Sequence, residues 1–250
     1  EYSKLEARLI DVYMAKEVLI TMGIESFYDS DRCNYNLGLI SESTFRFICA
    51  NAQGLNEAIV RKRSDQFEYF GLRTVYDRYL LRDRNSRNPT ETAQYFFMRV
   101  ACGVAQSLQE AIELYDMISC FDYMPSTPTL FNSGTAHSQM SSCYLLDSPL
   151  DSLESIYDKY RDVAMLSKFA GGIGLAYHRV RSRGSQIRGT NGKSNGIVPF
   201  LKTLDSSVAA VNQGGKRKGA ACVYLETWHA DIMEFLELRN NTGDEALSLI

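Results

Sequence analysis

The chain has 250 residues, 45% of them apolar and 23% charged, with a formal net charge of −3. That length allows one large domain or two smaller ones, and the small negative charge gives no support for a nucleic-acid partner. No run approaches the roughly 18–20 apolar residues of a membrane span, and the polar start Glu1-Tyr2-Ser3-Lys4 has no signal-peptide core and no initiator Met, so a cytoplasmic piece of a longer polypeptide is expected.

In chain order, Tyr2, Leu5, Leu9, Val12 and Tyr13 make a helical stripe that runs to a stop at Met22-Gly23. Ile40 to Arg61 repeats the pattern with Ser41 as N-cap. An aromatic-rich stretch from Phe67 to Leu81 leads to a charged turn at Arg82-Asp83-Arg84-Asn85. A helix is expected over Thr90 to Val104 and another over Ser107 to Phe121, so residues 1–122 read as an all-helical domain. From residue 123 the texture changes. A Pro/Thr-rich loop (Met124 to Thr129) precedes a strand at Tyr144-Leu145-Leu146. A helix from about Leu150 to Lys168 and a strand from Ile173 to Val180 follow. A polar Gly-rich loop (Ser182 to Ser194), a helix (Gly196 to Val211) and a basic glycine turn (Gln213 to Gly219) come next. A strand (Ala220 to Leu225) and a short helix (Asp231 to Arg239) complete the pattern. Alternation of apolar strands with helices over residues 123–250 implies a mostly parallel α/β sheet or barrel.

The six cysteines are scattered without a C-x-x-C pair, and the three histidines are far apart. This argues against a zinc site and a secreted disulfide framework. Cys143 follows two serines, Ser141 and Ser142. It is either a buried strand thiol or a nucleophile, redox partner or radical carrier; paired serines are unusual beside a fully buried thiol. Thr127 and Thr129 flank Pro128, which lacks an N–H, so their hydroxyls either anchor a phosphate or serve an ordinary turn. Ala170-Gly171-Gly172-Ile173-Gly174 leads into a strand rather than out of one. It therefore fails the P-loop and dinucleotide templates, leaving a helix C-cap turn or close backbone approach to a ligand. Asp151 with Glu154 fits a capping box. Lys168, Arg181 and Arg188, spread across glycines, are either solvated surface or partners for a polyphosphate. His229 reads as a packed or capping histidine.

In this order, the motifs resemble one family, the large (alpha) subunit of ribonucleotide reductase. The runs that carry the likeness are Tyr69 to Thr74 (YFGLRT), Pro125 to Gly134 (PSTPTLFNSG), Ser141-Ser142-Cys143, Ser167 to Gly174 (SKFAGGIG), Gly189-Thr190-Asn191-Gly192, Gln213 to Ala220 (QGGKRKGA) and Tyr224 to His229 (YLETWH). The resemblance implies a helical N-terminal domain followed by the first part of a ten-stranded α/β barrel. It also implies reduction of ribonucleoside diphosphates by thiyl-radical chemistry with a redox cysteine pair. Cys143 would be one of that pair, with Thr127, Ser142, Gly171 and Gly172 at the substrate. Asp151, Ser152 and Leu153 would hold the base and sugar of a dNTP or ATP effector. Lys168, Arg181, Arg188 and Gly189 would hold its phosphates or shape the loop. The implied partners are a di-metal small (beta) subunit that supplies the radical, a second large subunit, and thioredoxin or glutaredoxin as reductant, with no cofactor resident in this chain. The family's radical-bearing cysteine segment, its second redox cysteine and its ATP cone are not found in these 250 residues. After Asn241 to Glu245 the sequence departs from the family at Ala246 to Ile250. The chain on its own is therefore expected to be inactive. Two further readings fit the same residues. One is a cobalamin-dependent reductase of the same family; the other is a nucleotide-binding half that assembles with a separately encoded remainder.

Overall fold

The computed structural model describes residues 2–168, 171–211 and 220–238. The chain divides into two units, Glu1–Met140 and Ser141–Ile250, each with its own hydrophobic core.

The first unit is helical. Helix α1 (Tyr2–Lys16) runs into a π-helical turn, Glu17–Thr21. Helix α2 (Phe27–Asn36) gives no apolar periodicity, because it buries Ser30, Asp31 and Asn34 beside Phe27; Ser26 starts it by accepting from the Asp29 N–H. The single helix expected over residues 40–61 is two, α3 (Glu42–Ala50) and α4 (Ala52–Ala58), with Asn51 ending one and beginning the other. Ser41 caps α3 as expected, its Oγ accepting from the Thr44 N–H at 3.2 Å. Helix α5 (Tyr69–Thr74) ends in a second π-helical turn, Val75–Tyr79.

Helix α6 (Ala93–Cys102) is the centre of this unit, with every residue buried. It starts three residues later than the sequence pattern suggests. Thr92 caps it, while Thr90 and Glu91 are drawn into the interior as polar groups. Arg99 lies inside with Glu91, both side chains 1% exposed. Its Nε donates to Glu91 Oε1 at 2.5 Å and its Nη1 to the Ser133 carbonyl at 2.7 Å. The Leu81 N–H satisfies the other Glu91 oxygen. A buried ion pair is tolerated only when its remaining hydrogen-bonding capacity is met in this way. Helix α7 (Leu108–Ser119) follows, capped by Ser107.

The Pro/Thr-rich stretch is a short helix, α8 (Thr127–Asn132), rather than a loop. Pro128 sits in its first turn, where the missing N–H costs nothing and the fixed φ suits a helix. Residues 123–140, assigned from sequence to the second domain, pack into the helical unit. Ser133 Oγ donates to the Val100 carbonyl, the Ala136 N–H to Leu39, and Thr135 bridges Ile40.

The second unit alternates strand and helix: β1 (Cys143–Leu146), α9 (Leu153–Lys168), β2 (Gly172–Ala176), α10 (Val198–Val211), β3 (Ala220–Tyr224) and α11 (Ile232–Glu237). The strands are parallel in the order β1-β2-β3, with Cys143 opposite Gly172 and Gly172 opposite Ala220. Strand β2 ends at Ala176, four residues before the expected end. The Tyr177 N–H still reaches the Tyr224 carbonyl, but the chain then turns so that the Val180 N–H bonds back to Tyr177. Ile173 and Leu175 of β2, with Leu146, Ala221 and Val223 of its neighbours, pack on Ile156, Tyr160 and Val163 of α9 and Leu201, Leu204 and Val208 of α10. Tyr177 donates to the Tyr160 hydroxyl, which donates to the Phe200 carbonyl at 2.6 Å, joining strand end to both helices. Helices thus cover one sheet face, as a repeated strand–helix–strand unit requires. The basic glycine turn (213–219) and the residues after 238 lie outside the described residues.

Candidate functional site

Side chains alternate across a strand. With Ile173 and Leu175 turned to the helices, the other sheet face receives Cys143 and Leu145 from β1, Gly172 and Gly174 from β2, and Cys222 and Tyr224 from β3. The middle strand contributes no side chain there at its first two rows. A Cβ on Gly174 would lie 2.8 Å from Leu145 Cδ2 and 2.9 Å from Tyr224 Cε2, so those side chains lean over the bare strand. The result is an open trough with a thiol at one corner. Cys143 is exposed, not a buried strand cysteine. Ser142 Oγ donates to Cys143 Sγ at 3.7 Å, while the Ser142 carbonyl accepts from the Gly172 N–H at 2.8 Å. Ser142, Cys143 and Gly172 therefore meet at one end of the sheet. Gly171 is buried beneath Tyr144, whose ring would be 2.7 Å from a Cβ there. Its closest approach is to the protein's own aromatic ring.

The second cluster lies where α9 begins. Asp151 does not form the expected capping box. Ser152 caps instead, its Oγ accepting from the Ser155 N–H. The Asp151 carboxylate is taken by Arg181, whose Nε donates to both oxygens at 2.9 Å and whose backbone N–H donates to Oδ1 at 3.1 Å. Partial burial opposes ionisation of Asp151. The Arg181 hydrogen bonds and the charges of Arg181 and Arg188 outweigh it and hold the carboxyl below its ordinary range. Arg181 also donates through Nη1 to the Gln186 carbonyl. That bond steadies a narrow ribbon in which Gly184 pairs with Ser194, Ser194 with Ser185 and Ile187 with Gly192. Arg188 and Gly189 form the exposed tip, and Gly189 has φ +91°, the left-handed region that favours glycine. Leu153 is 64% exposed beside them. Asp151, Ser152, Leu153, Arg181, Arg188 and Gly189 thus share one region with a net cationic tip.

Lys168 does not join them. It closes α9, about 22 Å along the helix from Leu153 at 1.5 Å per residue. The helix expected from about Leu150 to Lys168 already implies that separation; what the sequence does not signal is the return of Arg181 to Asp151 at the opposite end. Thr127 belongs to the helical unit, half-buried at the start of α8, with its Oγ1 3.3 Å from the Tyr79 hydroxyl. Asp231 is a residue that sequence reasoning passed over. Placed before an apolar run, it reads as a helix cap, yet its carboxylate accepts from Arg183 and Ile197, far away in sequence. His229 is buried, bonded to the Val180 carbonyl through Nε2 and to the Asp231 N–H through Nδ1, a packed histidine as its context suggests. Among the described residues no group of three or more His, Cys, Asp or Glu side chains is arranged to hold a metal ion.

Comparison with known proteins identifies the two units separately. Residues 65–138 match the family described as ribonucleotide reductase, all-alpha domain, and residues 141–249 match ribonucleotide reductase, barrel domain. The chain is 53% identical over 195 residues to a ribonucleoside-diphosphate reductase subunit alpha of Chlamydia muridarum, covering 76% of this chain and 18% of that protein. It is 43% identical over 221 residues to a large subunit of Arabidopsis thaliana (88% and 27%). It is 39% identical over 254 aligned positions to a large chain of Cryptosporidium parvum (99% and 31%). The chain thus spans under a third of the length of each of these relatives. The helical unit, the parallel strand–helix unit that follows it in the chain and both family matches agree: the chain belongs to the ribonucleotide reductase large-subunit family, with its all-alpha domain followed by part of its barrel.

Proposed function

We propose that this chain serves the reduction of ribonucleoside diphosphates to 2′-deoxyribonucleoside diphosphates, with Cys143 as one of two thiols that supply the electrons. The observation that carries this reading is the exposed Cys143 at the corner of a sheet face left bare by Gly172 and Gly174. In the proposed reaction a thiyl radical removes the 3′-hydrogen and later returns it. The C2′–O bond breaks and a C2′–H bond forms. Two thiols together give up two electrons and two protons and become a disulfide, and the 2′-hydroxyl leaves as water. A thiol used in this way has to be reachable from the sugar and free of a permanent partner. Thr127, Ser142, Gly171 and Gly172 are proposed substrate contacts. Ser142 and Gly172 are supported by their position beside Cys143. For Gly171, whose space is filled by Tyr144, the support is the motif alone. The radical is proposed to come from a di-metal small subunit, and thioredoxin or glutaredoxin to re-reduce the disulfide.

The Asp151–Arg181 region is proposed as the effector site for a dNTP or ATP. Its support is the cationic ribbon tip of Arg188 and Gly189 beside the start of α9, where helix N–H groups favour anions. The exposed residues Leu153, Tyr157 and Met165 on α9 support a homodimer of large subunits joined next to that site. No helix among the described residues is long and apolar enough to cross a membrane; the proposed location is the cytoplasm. The test is Cys143→Ser in the full-length enzyme with its radical-supplying partner. Turnover under reducing conditions should fall below about a thousandth of wild type, because serine cannot enter a disulfide. Turnover near wild type would exclude Cys143 from the pair.

A further inference from the structure

The ribbon that carries Arg188 leaves the core after Val180 and returns to it at Ile197. Both ends of that excursion are gathered onto one side chain. The Arg183 N–H donates to Asp231 Oδ1 at 2.9 Å and Oδ2 at 3.2 Å. The Ile197 N–H donates to Asp231 Oδ2 at 3.1 Å. Asp231 is 4% exposed, so these are the contacts that compensate a buried carboxylate. The fit is close. A Cβ on Gly196 would stand 2.5 Å from Asp231 Oδ2, and Gly196 has φ +80°. The aspartate is itself held in place. His229 Nδ1 accepts from the Asp231 N–H at 3.1 Å, and His229 Nε2 reaches the Val180 carbonyl at 2.7 Å, at the departure point of the same excursion. Farther out, Arg183 forms an exposed pair with Glu234 at 2.9 Å.

From this geometry we infer that Asp231 is a positioning residue for the effector loop: its carboxylate pins the two ends of residues 183–197 together, so that the Arg188–Gly189 tip is presented in one conformation to the polyphosphate of a nucleoside triphosphate. The inference rests on the proposed effector site and adds a residue that touches no effector. Loop closure is costly in entropy when the ends are free. A loop whose ends are joined beforehand gives up less freedom on binding, and its ligand binds correspondingly more tightly.

The experiment uses the full-length reductase and dTTP as the probe, with CDP affinity measured in the absence of effector. Asp231→Ala removes both acceptor oxygens from the two donors. It should weaken dTTP binding tenfold or more and change CDP affinity less than twofold. In hydrogen exchange the amides of Arg183 and Ile197 should lose protection together, and saturating dTTP should restore it. Gly196→Ala, which displaces the same carboxylate, should give the same pattern. Wild-type dTTP affinity in both variants, or undiminished protection of the two amides, overturns the inference. Loss of protection throughout the three strands makes Asp231 a residue of general stability and also overturns it. Arg181→Ala tests the effector site itself. If it leaves dTTP affinity unchanged, the effector reading fails, while the paired exchange of Arg183 and Ile197 still decides whether Asp231 pins the loop.

Discussion

Asp31 has the least comfortable position among the charged side chains described. It is 2% exposed, and neither carboxylate oxygen has a hydrogen-bond partner in the structure; the Asn34 Nδ2 beside it also lacks one. Burial and, secondarily, the charge of Glu91 push its pKa up to about 7, with Arg99 opposing. Arg99 already serves Glu91, and one guanidinium does not neutralise two carboxylates. The folded state therefore holds a proton on Asp31 that the unfolded state, with a carboxyl near 3.9, gives up. Stability is greatest below about pH 4 as far as this group is concerned, and is lost as pH rises to about 7. Asp31→Asn removes that term. Its stability relative to wild type should improve by about 2–3 kcal/mol between pH 5 and pH 8, measured by urea unfolding followed by far-ultraviolet circular dichroism. An unchanged difference would place a counter-charge near Asp31. None of this is visible in the sequence, where Asp31 sits in a polar run (Tyr28-Asp29-Ser30-Asp31-Arg32) that reads as solvated surface.

At the scale of elements, what was legible had a local cause. Ser41 and Ser107 cap helices because a hydroxyl reaches an N–H three residues on. Strands and crossover helices of the second unit announce themselves by apolar runs of the right length. What was hidden had a distant cause. Helix α2 buries Ser30 and Asn34, whose partner is Thr90 far along the chain, Ser30 Oγ donating to its carbonyl and Asn34 Oδ1 accepting from its hydroxyl. Asp151 gives up capping for an arginine thirty positions later. Gly103 belongs to this second kind. Its φ of −70° asks for no glycine. The demand comes from space, because a Cβ there would run into Gly134 N and Ser133 Oγ where α6 meets the turn after α8. Gly103→Ala should therefore separate α6 from that turn and strain the Ser133 bonds to Val100 and Arg99, costing about 1–3 kcal/mol. A melting temperature several degrees below wild type would show it; an unchanged one would mean the turn yields freely.

At the scale of the molecule, the family likeness was legible because it rests on ordered motifs: the all-alpha match over 65–138 and the barrel match over 141–249 contain the runs quoted from the sequence. The limit between the units was less legible. A change of texture near residue 123 reflects proline and hydroxyl content, whereas the structural division at 140 follows packing of α8 under Arg99. The site was half legible: residue types were read, but the return of Arg181 to Asp151 at the start of α9, the end opposite Lys168, has no signal in the sequence. The 250-residue polypeptide itself, spanning 18–31% of its relatives' lengths, is expected to give no reductase turnover with a radical-generating partner, effector and dithiol. Deoxynucleotide formation above background in a radiolabel assay would show that these residues suffice.

Cys143 and Cys222 look over the same sheet face, yet a two-strand gap of about 9.6 Å and a stagger of two residues separate them. A disulfide needs Cα atoms within about 7 Å. Cys222 is thus a spectator to oxidation at Cys143. A sulfenic acid or mixed disulfide formed there finds no rescuer within the sheet and persists until another segment or protein delivers a thiol across the trough. The bare glycines that open the way for a ligand also leave this sulfur unguarded, so its redox state is set by whatever reaches it from above the sheet.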